Sequence, residues 1–96
     1  MKIVWSERAE SDLLQIYTYL AERNLKAADA LVQEVDAKFK NLTRFPFIGR
    51  ERSSLAPGLR SILIGTHLIF YLIERDRIVI VRVIDGRMDI DQEFKR

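Results

Sequence analysis

Four side chains in the last third of the chain could do chemistry together: Arg60, His67, Tyr71 and Arg82. They interrupt a stretch from Leu59 to Ile84 that is otherwise mostly apolar and rich in Ile and Val. Two guanidinium groups can clamp an anion through paired hydrogen bonds. A histidine or tyrosine beside them could move a proton, which arginine, with a pKa above about 12, cannot readily do. Glu51 is the other proton-transfer candidate. Two readings of the arginines stand. They bind an anion or a partner, or they pair internally with Asp85, Asp89 or Glu51. His67 is alone, with no Ser or Cys nucleophile near it in sequence, and lone histidines are more often structural. Tyr17 and Tyr19 read as helix-packing residues.

The elements that position these groups are strands at about Leu59–Ile64, His67–Glu74 and Arg77–Ile84. Gly65-Thr66 suits a two-residue hairpin turn with glycine first, and Arg75-Asp76 marks a second turn with weaker chemistry. Two-residue turns fix the register. Arg60 then lies opposite Tyr71, and Tyr71 opposite Ile80. Ile62, Ile69 and Arg82 share the next row, and Ile64, His67 and Ile84 the third. Arg60, Tyr71, His67 and Arg82 thus project from one face. Leu59, Ser61, Leu63, Leu68, Phe70, Leu72, Val79, Val81 and Val83 are expected on the other, against the helices.

Upstream, Lys2-Ile3-Val4-Trp5 reads as a short strand. Ser6 can cap the helix that follows, with Glu7 in its first turn. Ala9, Leu13, Ile16, Tyr17 and Leu20 recur at helical spacing, and Asn24 is expected as a left-handed stop. A second helix carries Ala28, Leu31, Val32, Val35, Phe39 and Leu42, and ends before Pro46. So short a connection predicts an antiparallel helical hairpin. Phe45 to Gly58 is a long irregular connection mixing aromatics, charges and turn formers, as functional or mobile loops do. The tail from Asp85 to Arg96 reads as a short helix or a frayed end.

Ninety-six residues make one domain, 1–96. A hydrophobic content of 48% fits a folded chain. The net charge of +2 excludes a polycation. Without cysteine there is no disulfide framework or thiolate metal site, and one histidine cannot build a histidine-rich metal cluster. No P-loop or nucleophile-elbow motif is present. No apolar run approaches the roughly 20 residues of a membrane span, and no secretory leader is recognisable at Met1–Trp5. The expectation is a small cytoplasmic protein without metal or cofactor.

Taken in order, Trp5, Ala9, Asp12-Leu13, Ile16, Tyr19-Leu20, Phe45-Pro46-Phe47-Ile48-Gly49-Arg50, Pro57-Gly58-Leu59-Arg60, Ile69-Phe70-Tyr71 and Ile80-Val81-Arg82-Val83-Ile84-Asp85-Gly86-Arg87-Met88-Asp89 form a pattern over nearly the whole chain. It resembles the RelE/ParE superfamily of bacterial type II toxin–antitoxin toxins. The resemblance implies an α+β fold: a short N-terminal strand, an antiparallel helical hairpin, then a three-stranded antiparallel sheet. The ending is similar to the ParE branch, which commonly has His where this chain has Asp85.

The ParE-like resemblance implies a toxin that inhibits DNA gyrase by protein contact, blocks replication and is not itself an enzyme. Arg50, Arg52, Arg87 and Asp89 are the candidate target contacts. It also implies a neutralising antitoxin, ParD-like or similar. An amphipathic helix could lie on the hairpin near Leu14, Leu25 and Leu31, with acidic groups reaching Arg60 and Arg82. Neither membrane association nor direct specific nucleic-acid binding is expected. The alternative from the same superfamily is a metal-independent, ribosome-dependent mRNA endonuclease of the RelE type. There Arg60 and Arg82 would clamp the phosphate, and Tyr71 or His67 would transfer the proton. The C-terminal Tyr or His-Tyr typical of those nucleases is missing.

Overall fold

The computed structural model describes residues 1–96. The chain runs β1 (Lys2–Trp5), α1 (Glu7–Arg23), α2 (Leu25–Arg44), a single 3-10 turn (Pro46–Ile48), β2 (Arg50–Glu51), β3 (Arg60–Ile64), β4 (His67–Ile73), β5 (Arg77–Asp85) and α3 (Ile90–Phe94). The expected α+β order is present, with a sheet of five strands rather than three, in the order β1-β5-β4-β3-β2. The extra strands are edges: β1 joins β5 in parallel, and β2 pairs antiparallel with Arg60 and Ser61.

Ser6 starts α1 as expected, its hydroxyl accepting from the Ala9 amide at 3.0 Å. Asn24 is the whole connection between the helices. It is extended at φ −159°, not left-handed. Its amide donates to the Leu20 carbonyl and its side chain accepts from the Ala27 amide, so one residue closes α1 and caps α2. Gly65 opens the β3–β4 hairpin at φ 59°, a backbone that its lack of a Cβ permits.

The first hairpin has the expected register, with Arg60 opposite Tyr71 and Ile64 opposite His67. The second does not. Tyr71 faces Ile80, but Phe70 faces Arg82, so Val81 is an extra residue in a β-bulge. Ile69 therefore lies opposite Val83, not Arg82, and His67 opposite Asp85, not Ile84. One inserted residue moves every later side chain to the other face. Arg82 consequently leaves the face it was expected to share with Arg60, Tyr71 and His67.

The face turned to the helices is also the reverse of the expected one, Val83 apart. Ile64, Ile69, Tyr71, Ile78, Ile80 and Val83 form the main core with Ala9, Val35, Phe39 and Leu42. Leu59, Phe70 and Ile84 build a second, smaller core under Leu55, Ala56, Ile90 and Phe94. A sheet covered on both sides reads as continuous apolar strands, and alternation then cannot select the inner face.

Candidate functional site

The four chemically promising side chains do not converge. Arg82 is 7% exposed and lies between α1 and α3. Its Nε donates to Asp12 Oδ2 at 2.8 Å and its Nη1 to the Glu93 carbonyl at 2.7 Å. The same Asp12 oxygen accepts from the Val83 amide at 2.9 Å. Past Ile80, β5 has no β1 partner, and Asp12 of α1 and its cap Ser6 take up the backbone instead. Ser6 donates from its amide to the Ile80 carbonyl and from its hydroxyl to that of Val81.

The partner of Arg82 is Asp12, not Asp85, Asp89 or Glu51 as the sequence suggests. A signal was present. Asp12 is the one charge on the buried stripe of α1 that carries Ala9, Leu13 and Ile16, and a carboxylate placed there needs a buried cation.

Arg60 and Tyr71 do sit together, on the helix side of the sheet. The Tyr71 hydroxyl is fully engaged, accepting from the Gly49 amide at 2.9 Å and donating to the Pro46 carbonyl at 2.8 Å. Burial raises its pKa, against smaller opposing effects of the Gly49 amide and the Arg60 charge. Arg60 donates to the carbonyls of Phe47 and Gly49 at 3.1 and 2.8 Å and pairs with Glu51 at 3.4 Å. The internal pairing foreseen with Glu51 is present.

His67 lies apart, at a cavity of about 390 Å³ between α1 and the end of β5, lined by Gln15, Ile16, Tyr19, Leu20, Thr66, Asp85 and Arg87. Burial lowers the His67 pKa; Asp85 opposes this and Arg87 adds to it. Asp85 is held down to about 2, chiefly by the Arg87 side chain and also by its amide. This carboxylate is a weak base for proton transfer.

Among the expected target contacts, Arg50 is exposed on edge strand β2. Arg52 lies inward, its Nε donating to Ser61 Oγ at 2.9 Å. Desolvation, then the neighbouring Arg50, lowers its pKa. Arg87 is exposed and paired with Asp85 at 2.7 Å, and Asp89 caps α3 through the Gln92 amide. Among the expected antitoxin contacts, Leu14 and Leu25 are exposed, whereas Leu31 packs against the main core. Leu14 borders an apolar cavity of about 380 Å³ between the helices, with Trp5, Leu13, Tyr17, Val32 and Val35. No three His, Cys, Asp or Glu residues are grouped to hold a metal ion, and no helix is long and apolar enough to cross a membrane.

Comparison with known proteins agrees with this architecture. Toxin ParE3 of Caulobacter vibrioides is 31% identical over 90 residues, covering 93% of this chain and 90% of its own. Toxin ParE1 of Mycobacterium tuberculosis is 28% identical over 91 residues, 93% of each chain. A solved structure from a chromosomal ParDE system of P. aeruginosa superposes with a TM-score of 0.73 at 24% identity, covering 88% of this chain and 95% of that one. The YoeB/ParE toxin from Agrobacterium tumefaciens gives 0.64 at 19%, covering 88% and 98%. These two likenesses concern the fold. The model of the ParE toxin of type II toxin–antitoxin systems matches residues 3–90, and the chain belongs to that family.

Proposed function

We propose that this ParE-family chain inhibits DNA gyrase by protein contact and is neutralised by a ParD-like antitoxin. The observation that supports contact over catalysis is the engagement of the sheet arginines. A phosphate clamp needs free guanidinium donors beside a group that can exchange a proton. Here Arg82 is closed off by Asp12, Arg60 is spent on backbone carbonyls, and the Tyr71 hydroxyl has both a donor and an acceptor. His67 lines a different cavity, among Asp85 and Arg87.

The antitoxin would lay an apolar helix on the hairpin at Leu14 and Leu25, against the cavity wall formed by Val32. Arg50, Arg52, Arg87 and Asp89 would supply charged contacts to the target. The test is a supercoiling assay with purified gyrase. Titrated toxin should inhibit, and added antitoxin should restore activity; full supercoiling at toxin excess refutes the gyrase assignment.

A further inference from the structure

The loop from Phe45 to Gly49 puts three large apolar side chains into solvent in succession. Phe45, Phe47 and Ile48 are 53%, 67% and 56% exposed. Single exposed apolar residues are ordinary, but a contiguous group calls for a reason. This group is held firmly. The buried Tyr71 hydroxyl grips the backbone at Pro46 and Gly49, and Arg60 grips it at Phe47 and Gly49. Gly49 itself leaves no room for a side chain, since a Cβ there would lie 2.9 Å from the Ser61 carbonyl and 2.7 Å from the Tyr71 ring.

The two polar residues of the sheet that look most like catalytic groups thus fix an apolar tip. A surface ordered before it meets its partner loses less entropy on binding. The three side chains stand exposed together on one short turn, and a concave apolar partner would enclose the most of their surface. A disordered segment folding onto the toxin seeks a groove, such as the one between the helices. A preformed pocket on a folded protein receives a knob, as large apolar anchors commonly do in interfaces.

Charge narrows the partner further. From Ala37 to Arg60 the basic residues Lys38, Lys40, Arg44, Arg50, Arg52 and Arg60 face one acid, Glu51, so the rest of this +2 chain is net acidic. The Arg60 guanidinium lies 5.2 Å from the Phe47 ring centre and that of Arg44 5.6 Å from Phe45, placing cations at the rim of the tip. At about 1.5 Å per helical residue, Phe45 stands roughly 20 Å along α2 from Val32 in the hairpin groove.

We infer that the Phe45–Ile48 tip is the toxin's anchor on its cellular target, inserting into an acid-rimmed apolar pocket of a folded protein, and that Tyr71 and Arg60 are positioning residues for it. This rests on the reading of the chain as a toxin that acts by protein contact. It does not require that the target be gyrase.

The test uses Phe47→Ser/Ile48→Ser and Arg44→Glu, all at exposed side chains. Each is compared with wild type for growth arrest on induction, gyrase inhibition, antitoxin capture and thermal unfolding. The double variant should unfold and bind antitoxin as wild type does, yet need at least about tenfold more toxin for the same inhibition. Arg44→Glu should weaken inhibition less, with the deficit shrinking as salt is raised. Undiminished growth arrest by the double variant overturns the proposal, as does loss of antitoxin capture, which would assign the tip to that partner. If wild type arrests growth without inhibiting gyrase and the double variant does not arrest it, the tip stands and the gyrase assignment falls.

Discussion

Removing Asp12 should be the most damaging single change in this domain outside the apolar core. Its carboxylate accepts from Arg82 Nε at 2.8 Å, from Val83 N at 2.9 Å and, more distantly, from Arg8 Nε at 3.4 Å. The Asp12 and Arg82 side chains are 10% and 8% exposed, so water cannot replace the lost partner. Breaking such a pair from one side typically costs about 3–5 kcal/mol, because a buried charge is left uncompensated. Against a domain stability of about 5–15 kcal/mol, Asp12→Ala should remove about a fifth or more. Arg82→Ala should cost a similar amount.

Replacing both partners with apolar residues, Asp12→Leu with Arg82→Met, removes the stranded charge. It should cost clearly less than the two alanine variants added together. The remaining penalties are the Val83 amide without its acceptor, about 1–3 kcal/mol, and the part-buried Glu93 carbonyl without its Arg82 donor. Urea unfolding can be followed through Trp5, the only tryptophan, whose ring centre lies 5.4 Å from that of Phe39 in the main core. If each alanine variant costs under about 1 kcal/mol, or if the apolar pair is as unstable as the sum, the buried-pair argument is wrong.

Gly49→Ala should destabilise by about 1–3 kcal/mol, because the new methyl meets the Tyr71 ring and the Ser61 carbonyl. Tyr71→Phe should cost about 1–3 kcal/mol by stranding the Gly49 amide and the Pro46 carbonyl, and amide exchange at Gly49 should quicken. His67 has a lowered pKa in the fold, so its contribution is complete above the unfolded value near 6.5 and is lost as pH falls through the folded one. Wild type should therefore lose more thermal stability than His67→Gln between pH 7.5 and 5.5, and equal losses would contradict the burial assigned to it. Leu14→Asp should leave urea stability within about 0.5 kcal/mol, while antitoxin affinity by calorimetry drops at least about tenfold.

Local rules carried the sequence reading wherever the determinants are local. Ser6 ahead of an amphipathic run, Gly65-Thr66 between two apolar strands, and Pro46 after α2 each act within a few residues, and each lies where expected. The bulge at Val81 could not be read that way. It is accommodated by Ser6 at the cap of α1 and Asp12 within it, some 70 positions away. The parallel joining of β1 to β5 is likewise a long-range pairing. Because both faces of the sheet are covered, the apolar pattern gave no means of choosing between them. The Arg60–Tyr71 row was legible because it precedes the bulge; the supposed cluster with Arg82 was not real because that residue follows it.

The two sheet arginines solve the same physical problem on either side of β4, Arg60 opposite Tyr71 and Arg82 opposite Phe70. Arginine offers five donors on one rigid plane, so a single side chain can satisfy several acceptors where the strand ladder stops. Arg60 serves the carbonyls of the Phe47–Gly49 turn, and Arg82 serves Asp12 and the last turn of α3 at Glu93. Arg60 thus holds the Phe45–Ile48 tip, and Arg82 ties α1 and α3 to β5. To act on a phosphate, Arg82 would have to leave the Asp12 carboxylate uncompensated in a nearly dry site, a loss of about 3–5 kcal/mol, and Arg60 would have to release the carbonyls that fix the Phe47–Gly49 turn. The same donors cannot hold the scaffold and remain free for substrate. In this chain their present use favours presentation of a contact surface over a reaction on the sheet.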